Sequence, residues 1–390
     1  MYKINCYNVI KEEAKKLFTS EYIETNLEEA DGVLIRSTNI HNVEMPKSVC
    51  AIARAGIGVN TIPYEKYARE GIVVFNTPGA NANGVKEMTI LGLILSQRDI
   101  IGSINWVKSI KDDPNIVEKV ELEKSKFAGF ELKGKNLGII GLGAIGGLVA
   151  NTAVELGMNV FGYDPYISIT HAWGLSKNIT RVTTLEALYE LSDVITIHVP
   201  LKEDTRNMID DAAINKMKDG VVVINFARDA IVSDSSMEKA LKNHKVAKYI
   251  TDFPNPLTVK MDNTIVIPHL GGSTKESENN CAIQAVRELM DYLENGNINN
   301  SVNYPTLDAG VCRSVKRITI NHYNKSGMIS KFANILSSSN INIARMYNNS
   351  LDELAYTILD LDSEIEQETL NKINEIDGVL RVRVLKGIKS

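Results

Sequence analysis

Three polar residues stand just beyond three apolar runs late in the chain. Arg228 follows Val221-Val-Val-Ile-Asn-Phe-Ala227, Asp252 follows Ala247-Lys-Tyr-Ile-Thr251, and His269 follows Ile265-Val-Ile-Pro268. If the runs are strands of an open α/β sheet, their carboxyl ends line the ligand crevice. A guanidinium fork there grips a carboxylate through two parallel bonds. A neutral imidazole accepts the proton of an alcohol. With a hydride acceptor beside them, the pair has the equipment to oxidise a 2-hydroxy acid. Taken singly, each has a plainer reading: Arg228 as a surface ion-pair partner, His269 as a packed histidine.

The hydride acceptor has a signature of its own. Leu137-Gly-Ile-Ile-Gly141-Leu-Gly143-Ala144-Ile145-Gly146 sets Gly-x-Gly-x-x-Gly directly after a strand-like run and at the start of a helix-like one. The first glycine permits the tight turn, the second lets backbone approach a pyrophosphate, and the third allows close helix–strand packing. The free N–H groups of the helix start then face the phosphate charge. Asp164 ends the next strand-like run, Asn159-Val-Phe-Gly-Tyr163. A carboxylate there accepts bonds from ribose hydroxyls and repels a 2′-phosphate, which favours NAD over NADP. The plainer alternative is a glycine-rich turn with Asp164 as a cap.

These residues need a scaffold, and the chain is long enough for several domains: 390 residues, against about 100–200 per domain. Apolar residues at 44% and charged residues at 23% exclude a disordered chain. The net charge of −5 argues against a general nucleic-acid or anionic-membrane binder. No signal peptide or membrane span is legible, and the cysteines at 6, 50, 281 and 312 form neither a zinc pattern nor a disulfide framework, so no metal is expected and a cytoplasmic location is.

Short apolar runs at Asp31–Arg36, Cys50–Arg54 and Ile72–Phe75 alternate with amphipathic stretches at Glu12–Phe18 and Tyr64–Glu70. The alternation restarts at Gly134 and closes near Thr264–Pro268. Both halves predict doubly wound parallel sheets. Asn83 to Ser109, long, apolar-periodic and free of proline, is expected to cross between them. Glu276 to Leu293 predicts a helix, and the asparagine-rich Glu294–Pro305 a linker. The remainder reads β-α-β-β-α-β, the ferredoxin-like arrangement. The expected organisation is therefore 1–98 with 270–300 as a substrate-binding domain, 99–269 as a Rossmann-like NAD domain, 301–316 as a linker and 317–390 as a small regulatory domain.

With these motifs in place the whole chain resembles the D-isomer-specific 2-hydroxyacid dehydrogenases. Arg54-Ala-Gly56-Ile-Gly-Val-Asn60 is similar to the family's substrate loop, and Asn76-Thr-Pro-Gly-Ala-Asn81 to its strand-to-helix turn near the substrate and cofactor, which implies Arg54, Gly56 and Asn76 as substrate-binding residues. His198-Val199-Pro200-Leu201 and Asn225-Phe226-Ala227-Arg228 match cofactor-contacting strand ends, and Pro268-His269-Leu-Gly-Gly-Ser273 the catalytic loop. The resemblance implies Arg228 on the substrate carboxylate, His269 as acid/base, and Asp252 at the nicotinamide end. It implies oxidation of 3-phospho-D-glycerate to 3-phosphohydroxypyruvate, the first step of L-serine biosynthesis. A hydroxypyruvate or glyoxylate reductase, or a non-catalytic NAD-sensing protein, are the alternatives.

The substrate's phosphate needs cations. Arg36, Arg54 and Lys86 are candidates, with Arg54 favoured between a strand-like run and a Gly-Ile-Gly turn. One departure stands out. The family places a Glu five residues after the Asp, to orient and charge the histidine; here that register holds Leu257. Either Glu276 or Glu278 substitutes, or the enzyme works without the pair. The C-terminal segment resembles an ACT domain, which implies L-serine as an effector held by His322, Asn324 and Asn342 between paired copies, in a homodimer or homotetramer.

Overall fold

The computed structural model describes residues 1–8 and 10–388. Among the described residues, sixteen strands form three sheets. The first is wholly parallel, with β1 (Tyr2–Cys6), β2 (Tyr22–Glu24), β3 (Gly32–Ile35), β4 (Ala51–Arg54) and β5 (Val73–Phe75) in the order β2-β1-β3-β4-β5. Alternation decides its faces. Val33, Ile35, Ile52 and Val74 pack one way, with Tyr67. Leu34, Ala51, Ala53, Val73 and Phe75 pack the other way, onto Ala282, Ala285 and Leu289 of the helix Lys275–Asn295.

The second sheet is parallel throughout: β6 (Asn136–Ile140), β7 (Asn159–Tyr163), β8 (Ile179–Arg181), β9 (Val194–Ile197), β10 (Val221–Asn225), β11 (Val246–Thr251) and β12 (Thr264–Val266). Its order is β12-β11-β10-β9-β6-β7-β8. The direction of winding reverses between β6 and β9, the switch point at which such sheets bind ligands. Both faces are covered, which is why the central strands are near-continuous apolar runs.

The third sheet is antiparallel, with β13 (Lys316–Tyr323), β14 (Ile343–Leu351), β15 (Leu354–Leu361) and β16 (Val379–Lys386) in the order β14-β15-β13-β16. Helices Met328–Ser338 and Gln367–Asn374 cover one face through Met328, Phe332, Leu336 and Ile373. The ferredoxin-like expectation is met.

The domain boundaries fall elsewhere than expected. The chain divides into Met1–Ala80 with Glu278–Ser390, and Asn81–Ser277. The expected boundary at 98 moves because helix Ala82–Gln97 buries Val85 and Leu93 against Leu137, Ile139, Ile224 and Phe226 of the second sheet. The stretch 83–109 therefore does not cross between units; it forms that helix and a second one, Ile100–Ser109. The expected linker 301–316 is packed down where it begins. Asn303 accepts from Val74 N and donates to the carbonyls of Tyr64 and Ile72, and the Tyr304 hydroxyl donates to Ala68 O. Tyr356 and Ile358 of β15 join the core of the first sheet. The C-terminal sheet thus shares one apolar core with the first. No helix among the described residues is long and apolar enough to cross a membrane.

Candidate active site

Four neighbouring strands of the second sheet, β9 to β12, end on one edge with β6, because all run parallel. At the end of β6 sits the glycine turn. Gly141 has φ +90, and a Cβ there would lie 2.7 Å from His198 O. A Cβ on Gly146 would collide with Gly141 O. Both positions therefore demand glycine. Gly143 is different: a Cβ on it meets nothing within 4 Å. Open space over a backbone turn, at the start of helix Ala144–Glu155, is what a pyrophosphate would fill.

Asp164 braces this turn. Its Oδ2 accepts from Leu142 N at 2.9 Å and its Oδ1 from Tyr166 N at 2.8 Å. Each oxygen keeps a second lone pair for a ribose hydroxyl. At the end of β9, His198 Nε2 lies 3.0 Å from Thr196 Oγ1, and burial pushes its ring down to about 3, so it stays neutral. Val199 and Pro200 continue this strand end. Phe226 is only 6% exposed and packs in the core with Ile224, so its backbone alone is available to a ligand.

Arg228 follows β10 with its side chain exposed. Buried Asn225 holds its turn: Asn225 Oδ1 accepts from Ala227 N at 3.1 Å, and Asn225 Nδ2 donates to Arg228 O at 2.9 Å. Asp252, after β11, is buried. Its Oδ2 accepts from Gly271 N at 2.8 Å, while Oδ1 has no partner. Burial pushes the Asp252 carboxyl up; the Gly271 N–H, His269 and Arg228 pull it down. Both Arg228 and His269 are thus close enough to act on one carboxylate. His269 adopts φ +41. Its N–H is shared between Asp252 O at 2.9 Å and Ile267 O at 3.0 Å, and the Phe253 ring meets its edge at 5.1 Å.

Of the two expected substitutes for the missing Glu, Glu276 is exposed, as His269 is, and Glu278 is paired with Arg36 and with Lys11. Leu257 packs into the second sheet's core, its N–H capped by Asn255 Oδ1. Sequence reasoning overlooked Asn225 as the brace of the Arg228 turn. It also overlooked Asn81, whose amide abuts Gly272 of the histidine loop, where any Cβ would collide with it.

In the other unit, Arg54 Nε donates to Arg36 O at 2.7 Å, while Nη1 is buried with no partner. Burial lowers the pKa of this guanidinium, which has no carboxylate on it. Arg36 is taken by Glu278; Lys86, which lies in the unit Asn81–Ser277, donates to Asn83 Oδ1 at 2.7 Å. Asn76 Nδ2 donates to Ile57 O at 2.7 Å, and Thr77 N to Gly56 O at 3.1 Å, tying the two expected substrate segments together.

The three expected effector residues are not brought together within one chain. His322 is buried, with Nε2 2.8 Å from Thr357 Oγ1 and Nδ1 2.8 Å from Tyr323 O. Asn324 lies just beyond that end of β13, its amide 3.4 Å from Asp352 O. Asn342 precedes β14 and donates to Asp362, level with Leu361 at the opposite end of the sheet. About six residues of strand, roughly 20 Å, separate it from His322.

A parallel sheet with a glycine turn at its switch point, and Arg, Asp and His on successive strand ends, defines a dinucleotide-dependent dehydrogenase. Residues 101–271 match the model of the D-isomer specific 2-hydroxyacid dehydrogenase NAD binding domain. The chain belongs to the D-isomer-specific 2-hydroxyacid dehydrogenase family, and NAD is its cofactor. It is 30% identical over 387 residues to D-3-phosphoglycerate dehydrogenase of Haemophilus influenzae, covering 95% of this chain and 90% of that one. The enzyme of the same name from Escherichia coli K12 is 29% identical, with the same coverage. Among solved structures, NAD+-bound 3-phosphoglycerate dehydrogenase of Entamoeba histolytica matches with a TM-score of 0.57 and 27% identity, over 78% of this chain and 99% of that one.

Proposed function

We propose that the protein oxidises C2 of 3-phospho-D-glycerate to give 3-phosphohydroxypyruvate, the opening step of L-serine biosynthesis. The observation that carries this reading is the delivery of Arg228, Asp252 and His269 by adjacent parallel strands to the edge that holds the dinucleotide turn. The relatives' shared name supports the substrate.

In this reading the Arg228 fork holds the substrate carboxylate and fixes which hydrogen on C2 faces the ring. His269 takes the hydroxyl proton as the C–O bond gains double-bond character. Asp252, whose carboxyl both Arg228 and His269 pull down, is the acid assigned to the imidazolium that forms as His269 takes the proton. It does the work that a Glu at the Leu257 register does in the family pattern. NAD+, when bound, supplies the two-electron acceptor for the C2 hydrogen.

Arg54 is assigned to the phosphate, because its buried Nη1 lacks a partner. Arg54→Met should raise KM for 3-phosphoglycerate about 10–100-fold, the worth of a charged hydrogen bond. KM for unphosphorylated D-glycerate should hardly move. NADH formation with the two acids measures this; equal effects on both would remove the phosphate assignment, and turnover of D-glycerate but not 3-phosphoglycerate would remove the substrate.

We further infer that copies of the chain associate, as a dimer or tetramer, and that L-serine binds where two C-terminal sheets meet. Asn342 of one copy can join His322 and Asn324 only across such a junction, given their separation in one chain. Calorimetry should register serine binding to the intact protein and its loss in Asn342→Ala; no heat from the unmodified protein would end this reading. The four cysteines are free thiols, which supports a cytoplasmic location.

A further inference from the structure

Helix Lys275–Asn295 carries an acid that the chemistry above leaves unused. Glu288 is 8% exposed, on the helix whose Ala285 and Leu289 pack in the first sheet's core. The groups on it are neutral amides. Its Oε1 accepts from Gln284 Nε2 at 2.9 Å, on its own helix, and from Asn300 Nδ2 at 2.6 Å, on the loop that follows. Its Oε2 is buried without a partner. No charged side chain among the described residues contributes to its ionisation. Burial alone pushes the carboxyl up to about 7, against those two amide bonds. A carboxyl buried with no cation is costly, and the hydrogen bonds it accepts there tie down the groups that donate them.

What Glu288 holds can be followed bond by bond. Asn300 has φ +56, a left-handed turn, and its carbonyl accepts from Asn76 N at 3.2 Å. Ser301 bridges Phe75, the last residue of β5. Gln284, besides bonding Glu288, reaches Pro78 O at 3.4 Å. Both amides that Glu288 anchors therefore touch the Asn76–Pro78 turn, one through main chain and one directly. That turn in turn holds the Arg54–Asn60 loop through Ile57 O and Gly56 O.

We propose that Glu288 is a positioning residue for the substrate: by anchoring Asn300 and Gln284 it sets the Asn76–Pro78 turn, and through it the loop that carries Arg54. The proposal rests on the reading of Arg54 and Asn76 as substrate-binding residues. It goes beyond that reading by assigning the placement of this turn to a buried acid, remote in sequence, that makes no substrate contact. Acid and carboxylate alike accept both bonds through Oε1, so Gln should serve as well as Glu.

The test is steady-state kinetics of Glu288→Met, Glu288→Gln and Asn300→Gly. Glu288→Met has similar bulk and no acceptor. Its KM for 3-phosphoglycerate should rise about tenfold, the worth of one or two hydrogen bonds, with KM for NAD and kcat within about twofold. Glu288→Gln should restore the original KM. Asn300→Gly keeps the left-handed backbone and removes the amide; it should repeat the Met result, and it decides the matter if Glu288→Met does not fold. A KM unchanged in Glu288→Met or Asn300→Gly, or a rise shared by NAD, overturns the proposal. If Arg54→Met also leaves KM unchanged, the substrate-loop reading has failed, and the proposal with it. If only the Glu288 and Asn300 variants are silent, the linkage alone has failed.

Discussion

Replacing His269 with Asn is expected to lower kcat about 10²–10⁴-fold, the range that general acid–base catalysis supplies. Asn is the informative substitute. The backbone at His269 is left-handed, with φ +41, a conformation that Asn adopts more readily than most residues. The loop's main-chain bonds to Asp252 O and Ile267 O should survive, so the loss can be charged to the imidazole. KM for NAD should not change, because the glycine turn and Asp164 lie on strands β6 and β7, away from β12. Unimpaired turnover in His269→Asn would show that another group takes the proton. The comparison with Asp252→Asn sharpens the result. If Asp252 charges the imidazole in place of the absent Glu, its loss should lower kcat without the collapse in KM for the carboxylate that losing Arg228 would bring. A collapse in both would mean that Asp252 holds Arg228 rather than His269.

The parts of this site that sequence reasoning reached are those in which one residue type has one physical use. Gly141 and Gly146 tolerate no Cβ, so their spacing was legible. The central strands of the second sheet are buried on both faces, so Val221–Asn225 and Val194–Ile197 read as apolar runs. Two strands with little buried surface, β1 and β8, do not read as strands. In β1, Tyr2–Cys6, only Ile4 is fully buried, and the edge strand β8 presents no buried residue at all. Periodicity reports that a helix has an apolar face but not which sheet receives it. Val85 and Leu93 could have packed on either, and the boundary was misplaced accordingly. The asparagines of 294–305 look like loop filler by type. Asn297, Asn300 and Asn303 instead bond Asp291, Glu288 and the main chain of 64–74. Composition does not distinguish a side chain that solvates itself from one that satisfies a buried partner.

Asp360→Asn should destabilise the C-terminal sheet by about 3–5 kcal/mol, the usual cost of leaving one member of a buried pair uncompensated. Arg317 is the largest fully buried side chain among the described residues, and Asp360 is 1% exposed. Arg317 Nε and Nη2 donate to Asp360 at 2.6 and 3.1 Å, a two-pronged contact across β13 and β15. The same guanidinium donates through Nη1 to Asn295 O at 2.8 Å and Gly310 O at 2.6 Å. Asn295 closes the helix Lys275–Asn295, so a cation there also meets the negative end of the helix dipole. Arg383 repeats the device, with Nη1 on Tyr292 O at 3.1 Å and Nη2 on Leu293 O at 2.9 Å. These contacts, rather than a tether, make the C-terminal sheet continuous with the first. Hydrogen exchange of the β13 and β15 amides reads the loss locally. Both tryptophans, Trp106 and Trp173, belong to the other unit, so their emission should follow an unchanged unfolding curve. The double variant Arg317→Met, Asp360→Leu should recover part of the stability, because it removes the stranded charge while leaving the Asn295 and Gly310 carbonyls without their donor. If Asp360→Asn alone costs less than about 1 kcal/mol, the pair is not what joins the sheets.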